Sequence, residues 1–346
     1  MKSEGMSPAP ATVAVDLTRL AALVEWLDGF PAANIHSVVV RRKGELAFEH
    51  YRMGSDYRWA EALPNFVHGA LTRHDLRSIT KSITSLLVGI AIDQGHLAGI
   101  DEPVFSYFPN CADLRTPEKD AITLRHLLTM SAGFEWNEYI PYTDPTNSER
   151  QMLEAGDRWR FALTPNLVAS PGAIWNYNGG STELLGAVVS RGTGQAIDAY
   201  AREVLFSPLG IEDVEWLTYP DRIPAAASGL RLRAADLAKI GELVLARGLW
   251  RESRIVSASW IEESTRAHIG PDDRLTFYGY QWWLGRSLTD GREISWIMAQ
   301  GLGGQKLFIV PALDLVTVIT AGHYSDPMEV WLPLLIFNRY VLPATR

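Results

Sequence analysis

Asp75-Leu76-Arg77-Ser78-Ile79-Thr80-Lys81-Ser82-Ile83-Thr84 opens the most apolar helical stretch of the sequence. From 78 to 94 apolar residues recur as Ile79, Ile83, Leu86, Leu87 and Ile90 with few breakers, and Gly95 follows, so the spacing predicts a helix lying in the interior. Ser78 and Lys81 stand three residues apart, on one helix face and about one turn from each other, which lets an amine reach a hydroxyl. A serine hydroxyl is a poor nucleophile until something takes its proton. A lysine takes it only where burial lowers its pKa far below the usual ~10.4, and the apolar helix supplies that burial. The bland alternative is a serine that caps the helix and a lysine that snorkels to its surface. Against it, lysine is scarce: Lys2, Lys43, Lys81, Lys119, Lys239 and Lys306 are the whole set.

Working outward, Asp16 is an N-cap candidate, and Leu17, Leu20, Val24 and Leu27 predict an amphipathic helix over 16–29. Two β-rich runs, 37–41 and 46–51, flank Lys43-Gly44-Glu45 and predict a hairpin. Helical segments at 123–130, 181–191 and 196–206 are separated by long loops containing Pro, Gly and Trp. Helices at 234–247 and 257–266 precede strands at 280–284, 295–300, 306–310 and 315–321. Turn signals at Gly303-Gly304 and at 311–314 make the last three strands an antiparallel meander, and an apolar helix over 328–340 closes the chain. Strands at both ends building one antiparallel sheet, flanked by helices, with a mainly helical lobe between them, is an α+β plan. The expected organisation is one domain over 1–346, with a sheet lobe at about 16–77 and 250–346 and a helical lobe at about 78–249.

Composition narrows the function classes. Apolar residues at 47% against 21% charged describe a folded chain with a sizeable core. The formal net charge is −8, and the densest basic run is Arg41-Arg42-Lys43, so nucleic acid and anionic membrane are not expected as partners. Cys111 is the only cysteine, which excludes an intrachain disulfide and a cysteine zinc site. Residues 1–15 lack the apolar stretch of a signal peptide, and no apolar run reaches the ~18 residues of a membrane span, so a cytoplasmic location is expected. His126 and His323 have no partners at metal spacing, and neither a metal nor another cofactor is expected.

The segment 75–84 closely resembles the nucleophile helix of the β-lactamase-related serine hydrolases. That group holds class C β-lactamases, D-alanyl-D-alanine peptidases, family VIII esterases and 6-aminohexanoate-dimer hydrolases. The resemblance extends along most of the chain. Residues 122–134 (ITLRHLLTMSAGF) resemble the family's helix and turn after the nucleophile. Trp175-Asn176-Tyr177-Asn178-Gly179-Gly180, followed by Leu184-Leu185-Gly186, resembles its tyrosine loop. It implies a β-lactamase/transpeptidase-like fold and a cofactor-independent serine hydrolase that cleaves a small ester or amide through an acyl-enzyme on Ser78. Lys81 would be the base and Tyr177 the proton relay. The family's third element, a strand bearing Lys-Thr-Gly or His-x-Gly, corresponds here to Ala299-Gln300-Gly301, which implies an oxyanion hole made by the N–H groups of Ser78 and Leu302, with Gly301 beside the substrate.

Two departures shape the expectation. Lactamase and peptidase members usually carry Asn two residues after the tyrosine, whereas this chain has Gly179 there and Asn178 one position early. Ala299 replaces the cation that would pair with the carboxylate of a β-lactam or a stem peptide, so esterase or amide hydrolase activity is favoured over β-lactamase or peptidase activity. A non-catalytic ligand sensor on the same fold is the alternative from another class. Trp136, Tyr139 and Tyr142, in a loop whose Asn137-Glu138-Tyr139 resembles that of the 6-aminohexanoate-dimer hydrolases, are the candidate substrate contacts, with core packing as the competing reading for each.

Overall fold

Alternation with a period of two builds the centre of the molecule. In the first strand, β1 (Ile35–Arg42), Val38 and Val40 face one apolar cluster and Val39 faces another. The computed structural model describes residues 15–271, 273 and 275–345; 1–14, most of the segment read above for a leader, lie outside. Strand β1 pairs with β2 (Glu45–Tyr51) as expected. It is followed by an unforeseen second hairpin of β3 (Met53–Arg58) and β4 (Glu61–Val67), then by the short β5 (Arg73–Asp75). Later in the chain come β6 (Glu215–Trp216), β7 (Leu230–Arg233), β8 (Leu249–Trp250), β9 (Ser253–Arg254), β10 (Phe277–Tyr278), β11 (Trp283–Thr289), β12 (Arg292–Gly301), β13 (Gln305–Val310) and β14 (Leu315–Ala321).

Seven strands form one antiparallel sheet in the order β10-β11-β12-β13-β14-β1-β2, so the two ends of the chain meet where Val39 pairs with Val318. Strand β5 belongs instead to a small sheet, β5-β7-β6, which delivers the chain to Ser78. The expected strand over 280–284 is displaced. Gln281 has φ +63°, and its side chain bonds Leu127 O, Leu128 O and Thr182 Oγ1, so 279–282 is a turn tied to the helical lobe and β11 starts at Trp283.

The helices are α1 (Leu17–Asp28), α2 (Ile79–Asp93), α3 (Pro117–Asp120), α4 (Leu124–Leu128), α5 (Ser148–Glu154), α6 (Arg158–Leu163), α7 (Gly179–Thr193), α8 (Ile197–Ala201), α9 (Ala234–Leu245), α10 (Ala258–Ser264), α11 (Met328–Ile336) and α12 (Leu342–Ala344). Asp16 caps α1 by accepting from Thr18 N at 3.0 Å, and Leu20, Leu23 and Leu27 turn inward beside Ile319 and Phe337. On the opposite sheet face α9 lies across β13, β14 and β1, so this helix, inside the range expected for the helical lobe, packs on the sheet. Helix α2 is buried from Ile79 to Ala91 and packs against α7 on one side and β12 and β13 on the other. No helix among the described residues is long and apolar enough to cross a membrane.

Candidate active site at the start of the buried helix

Arg77, immediately before Ser78, has φ +50°, a left-handed conformation unfavourable for a residue with a Cβ. It is held there by three contacts. Its guanidinium donates to Trp59 O at 2.6 Å, lies 3.3 Å from Asp75 Oδ2, and sits over the Tyr324 ring at 4.9 Å. Ser78 follows at the N-cap of α2 with φ −65° and ψ −6°, and its side chain makes no capping hydrogen bond. The hydroxyl instead accepts from Lys81 Nζ at 2.9 Å.

Lys81 is 1% exposed and does not snorkel. Its second acceptor is Ala227 O at 3.2 Å, and that residue is itself anchored: Ala227 N donates to Glu183 Oε1 at 2.9 Å, and Glu183 also accepts from the Tyr219 hydroxyl at 2.9 Å. Glu183 lies on α7, so the helix after the tyrosine loop orients the amine of α2.

Tyr177 closes the group, its ring centre 5.1 Å from Lys81 Nζ. An aromatic wall holds it, with Trp283 at 6.0 Å, Tyr139 at 5.8 Å, Trp175 at 6.1 Å and Tyr278 at 6.5 Å between ring centres. Trp283 and Tyr278 flank the turn at Gln281, and no local spacing announced them. Asn178 is buried and serves α7 as its N-cap, accepting from Ser181 N at 3.0 Å, so it is not available as an amide clamp.

Two acidic side chains complete the electrostatics. Glu138 Oε2 accepts from Gly179 N and from Trp136 Nε1, each at 2.6 Å, and buried Glu149 accepts from the Tyr142 hydroxyl. Burial, then the charge of Glu149, pushes the Glu138 carboxyl up to about 7. Burial also opposes the Lys81 cation, yet Tyr177, Glu138 and Glu149 outweigh it and raise the Lys81 pKa above the ordinary lysine value. The Tyr177 share of that effect needs a phenolate, and burial raises the Tyr177 pKa as well. The charges of Glu138 and Glu149 therefore also favour the protonated form of Lys81. This corrects the expectation of a lysine neutralised by an apolar helix: the helix is apolar, but acidic residues from a distant loop and from α5 face its first turn.

Gly301 backs directly onto the backbone of residues 76–78. A Cβ there would stand 2.2 Å from Leu76 O and 3.1 Å from Ser78 N. The next residue, Leu302, begins the tight turn to β13, and neither its N–H nor that of Ser78 has an acceptor among the described residues. Ala299 is 1% exposed and packs in the same apolar cluster as Ile79 and Ile83. Lys306 cannot replace the missing cation, since it pairs with Gln300 at 2.7 Å on the opposite sheet face. Arg286 is paired with Glu293 at 3.1 Å.

Of the three aromatic residues expected to contact substrate, Trp136 is 5% exposed and sits in the core against Phe161, holding Glu138 through its indole N–H. The loop turns its large apolar ring inward. Tyr139 and Tyr142 are exposed at 68% and 44%, and Tyr139 flanks Tyr177.

Residues 25–330 match the Beta-lactamase family model. The chain belongs to the β-lactamase family. It has that family's β-lactamase/transpeptidase-like fold and is a serine hydrolase. It is 26% identical to the 6-aminohexanoate-dimer hydrolase of Paenarthrobacter ureafaciens, over 92% of this chain and 81% of that protein. It is 28% identical to esterase EstB of Burkholderia gladioli, over 51% of this chain and 45% of that protein. Its fold is shared with unliganded simvastatin synthase LovD from Aspergillus terreus, with a TM-score of 0.70 at 17% identity, over 94% of this chain and 97% of that one.

Proposed function

We propose that the chain hydrolyses small, uncharged esters or amides with Ser78 as nucleophile, Lys81 and Tyr177 as a shared proton acceptor and donor, and the N–H groups of Ser78 and Leu302 as the oxyanion hole. The 2.9 Å contact between Lys81 Nζ and Ser78 Oγ carries this reading. Lysine and phenol together hold two protons at rest. Loss of one gives either neutral lysine with phenol or ammonium with phenolate, and both forms accept the Ser78 proton. Ser78 Oγ then bonds to the substrate carbonyl carbon while the pair takes its proton. Collapse of the tetrahedral intermediate breaks the C–O or C–N bond, and the leaving group receives that proton. Water repeats the sequence on the acyl-enzyme and returns the proton to Ser78.

The absence of a cation at Ala299 supports neutral substrates over carboxylate-bearing β-lactams and peptides. Tyr139, exposed beside Tyr177, would form one wall of the acyl site. A fluorophosphonate probe tests the assignment together with p-nitrophenyl butyrate turnover. The wild type is expected to be labelled and to turn over the ester, and Ser78→Ala to do neither. Labelling or turnover that survives in Ser78→Ala would remove Ser78 as the nucleophile.

A further inference from the structure

Four side chains of metal-ligand type that play no part in the hydrolytic site converge in the interior. His36 lies on β1, Asp56 on β3, His68 just past β4, and His74 on β5, four residues before Ser78. One donor atom from each lies within 4.8 Å of all the others, and the side chains are 0%, 2%, 6% and 3% exposed, respectively. His68 Nε2 is buried with no hydrogen-bond partner, an expensive arrangement for an imidazole nitrogen. We propose that His36, Asp56, His68 and His74 form a structural site for one first-row divalent transition metal, zinc above the others.

The donor set suits this assignment. Three imidazoles and a carboxylate are borderline N and O ligands, which favour zinc and its neighbours over calcium or magnesium. Bonds of about 2.0–2.1 Å in a tetrahedron put ligand atoms about 3.3 Å apart. The observed separations straddle that value: His36 Nδ1 to His74 Nε2 is 2.8 Å, His74 Nε2 to Asp56 Oδ2 is 3.4 Å, His68 Nε2 to Asp56 Oδ2 is 3.7 Å, and His36 Nδ1 to Asp56 Oδ1 is 4.0 Å. The His36 and His68 rings stack 4.0 Å apart at 11°, so coordination requires His68 to turn and bring its lone pair between them. A small cavity beside its ring is lined by Gly69, Thr72 and Thr320.

Outer partners are also in place. His36 Nε2 meets Asn34 Oδ1 at 3.1 Å, and His74 Nδ1 meets Asp75 O at 2.9 Å. These contacts leave His36 Nδ1 and His74 Nε2 facing the centre, and the Tyr324 hydroxyl donates to Asp56 Oδ1 at 2.9 Å. Such partners set ring orientation and tautomer at metal centres. Four protein donors close the site to substrate, which makes the ion a clamp and not a catalyst. It would pin the exposed β3–β4 hairpin to β1 and to the strand that feeds Arg77 and Ser78.

The test uses the full chain without an affinity tag, stripped with a chelator and titrated with cobalt(II) and zinc. We expect a visible cobalt spectrum of tetrahedral N/O coordination that saturates at one ion per chain, bleaching by zinc, and a higher melting temperature in the loaded protein. His68→Ala should abolish the saturating spectrum. Asn34→Ala, which leaves all four ligands in place, should weaken cobalt binding by about 10–100-fold. A wild type with neither spectrum nor melting shift would overturn the proposal and leave the cluster as a proton-sharing network. A spectrum unchanged in both variants would also overturn it, by placing the ion elsewhere. Ester turnover reports on Ser78 separately and is not the readout.

Discussion

Glu138 Oε2 and Glu149 Oε1 each lie 3.2 Å from the point where a Cβ on Gly179 would begin. The position at which related enzymes usually place an asparagine thus faces two acidic groups whose field reaches Lys81 and Tyr177. A side chain at 179 would press on both carboxylates, and each would have to yield by a few tenths of an ångström.

The charge of Glu138 should be visible in pH dependence. Its carboxyl is raised to about 7 in the folded chain, so its contribution to stability is complete below the ordinary carboxyl pKa and is lost as pH rises through about 7. Glu138→Gln is expected to gain melting temperature relative to wild type at about pH 8 and little at about pH 4. With one negative charge fewer beside Lys81, the acid limb of the kcat/KM profile should move to lower pH. A limb that stays in place or moves up would show that Glu138 does not control the pair.

Lys81→Arg separates a proton acceptor from an electrostatic anchor. Arginine keeps the charge but does not deprotonate, so acylation measured by burst kinetics is expected to fall about 100- to 10,000-fold. If most of the rate survives, the Tyr177 phenolate is the base, and Tyr177→Phe must then remove what Lys81→Arg left.

Gly301→Ala should damage catalysis by displacing the backbone of Ser78, the proposed nucleophile. The new Cβ would meet Leu76 O at 2.2 Å, so 76–78 has to shift or the strand has to withdraw. A loss of about 100-fold in kcat, with substrate still bound, is expected from a displacement of this kind. Wild-type kcat in a folded variant would separate Gly301 from the oxyanion geometry.

Substrate ranking follows from Ala299. Nitrocefin, whose carboxylate finds no cation on this strand, should be turned over at least about tenfold less efficiently than p-nitrophenyl butyrate, the scale of one lost charge-assisted hydrogen bond. Equal or better nitrocefin turnover would reverse the preference for neutral substrates.

Short-range order was legible in the sequence because it is set by neighbours on the chain. The three-residue step from Ser78 to Lys81, the apolar period of α2, the Asp16 cap, the turn at Gly44 and the meander closing at Gly303-Gly304 all depend on contacts within a few residues. The β3–β4 hairpin was not legible, since its exposed residues show no clean alternation, Pro64 interrupts β4, and Trp59 and Asn65 take positive φ angles of 54° and 52°. The turn at Gln281 is made by bonds to α4 and α7 from more than ninety residues away. Only the tertiary structure decided which way the Lys81 pKa moves, because desolvation and Coulomb fields are summed over everything within a few ångströms, and Glu138 and Glu149 arrive there from another part of the chain. It alone assembled His36, Asp56, His68 and His74, whose spacings match no metal motif because each comes from a different strand or strand end. Periodicity is a property of the chain, whereas a field or a ligand set is a property of the space into which the chain folds.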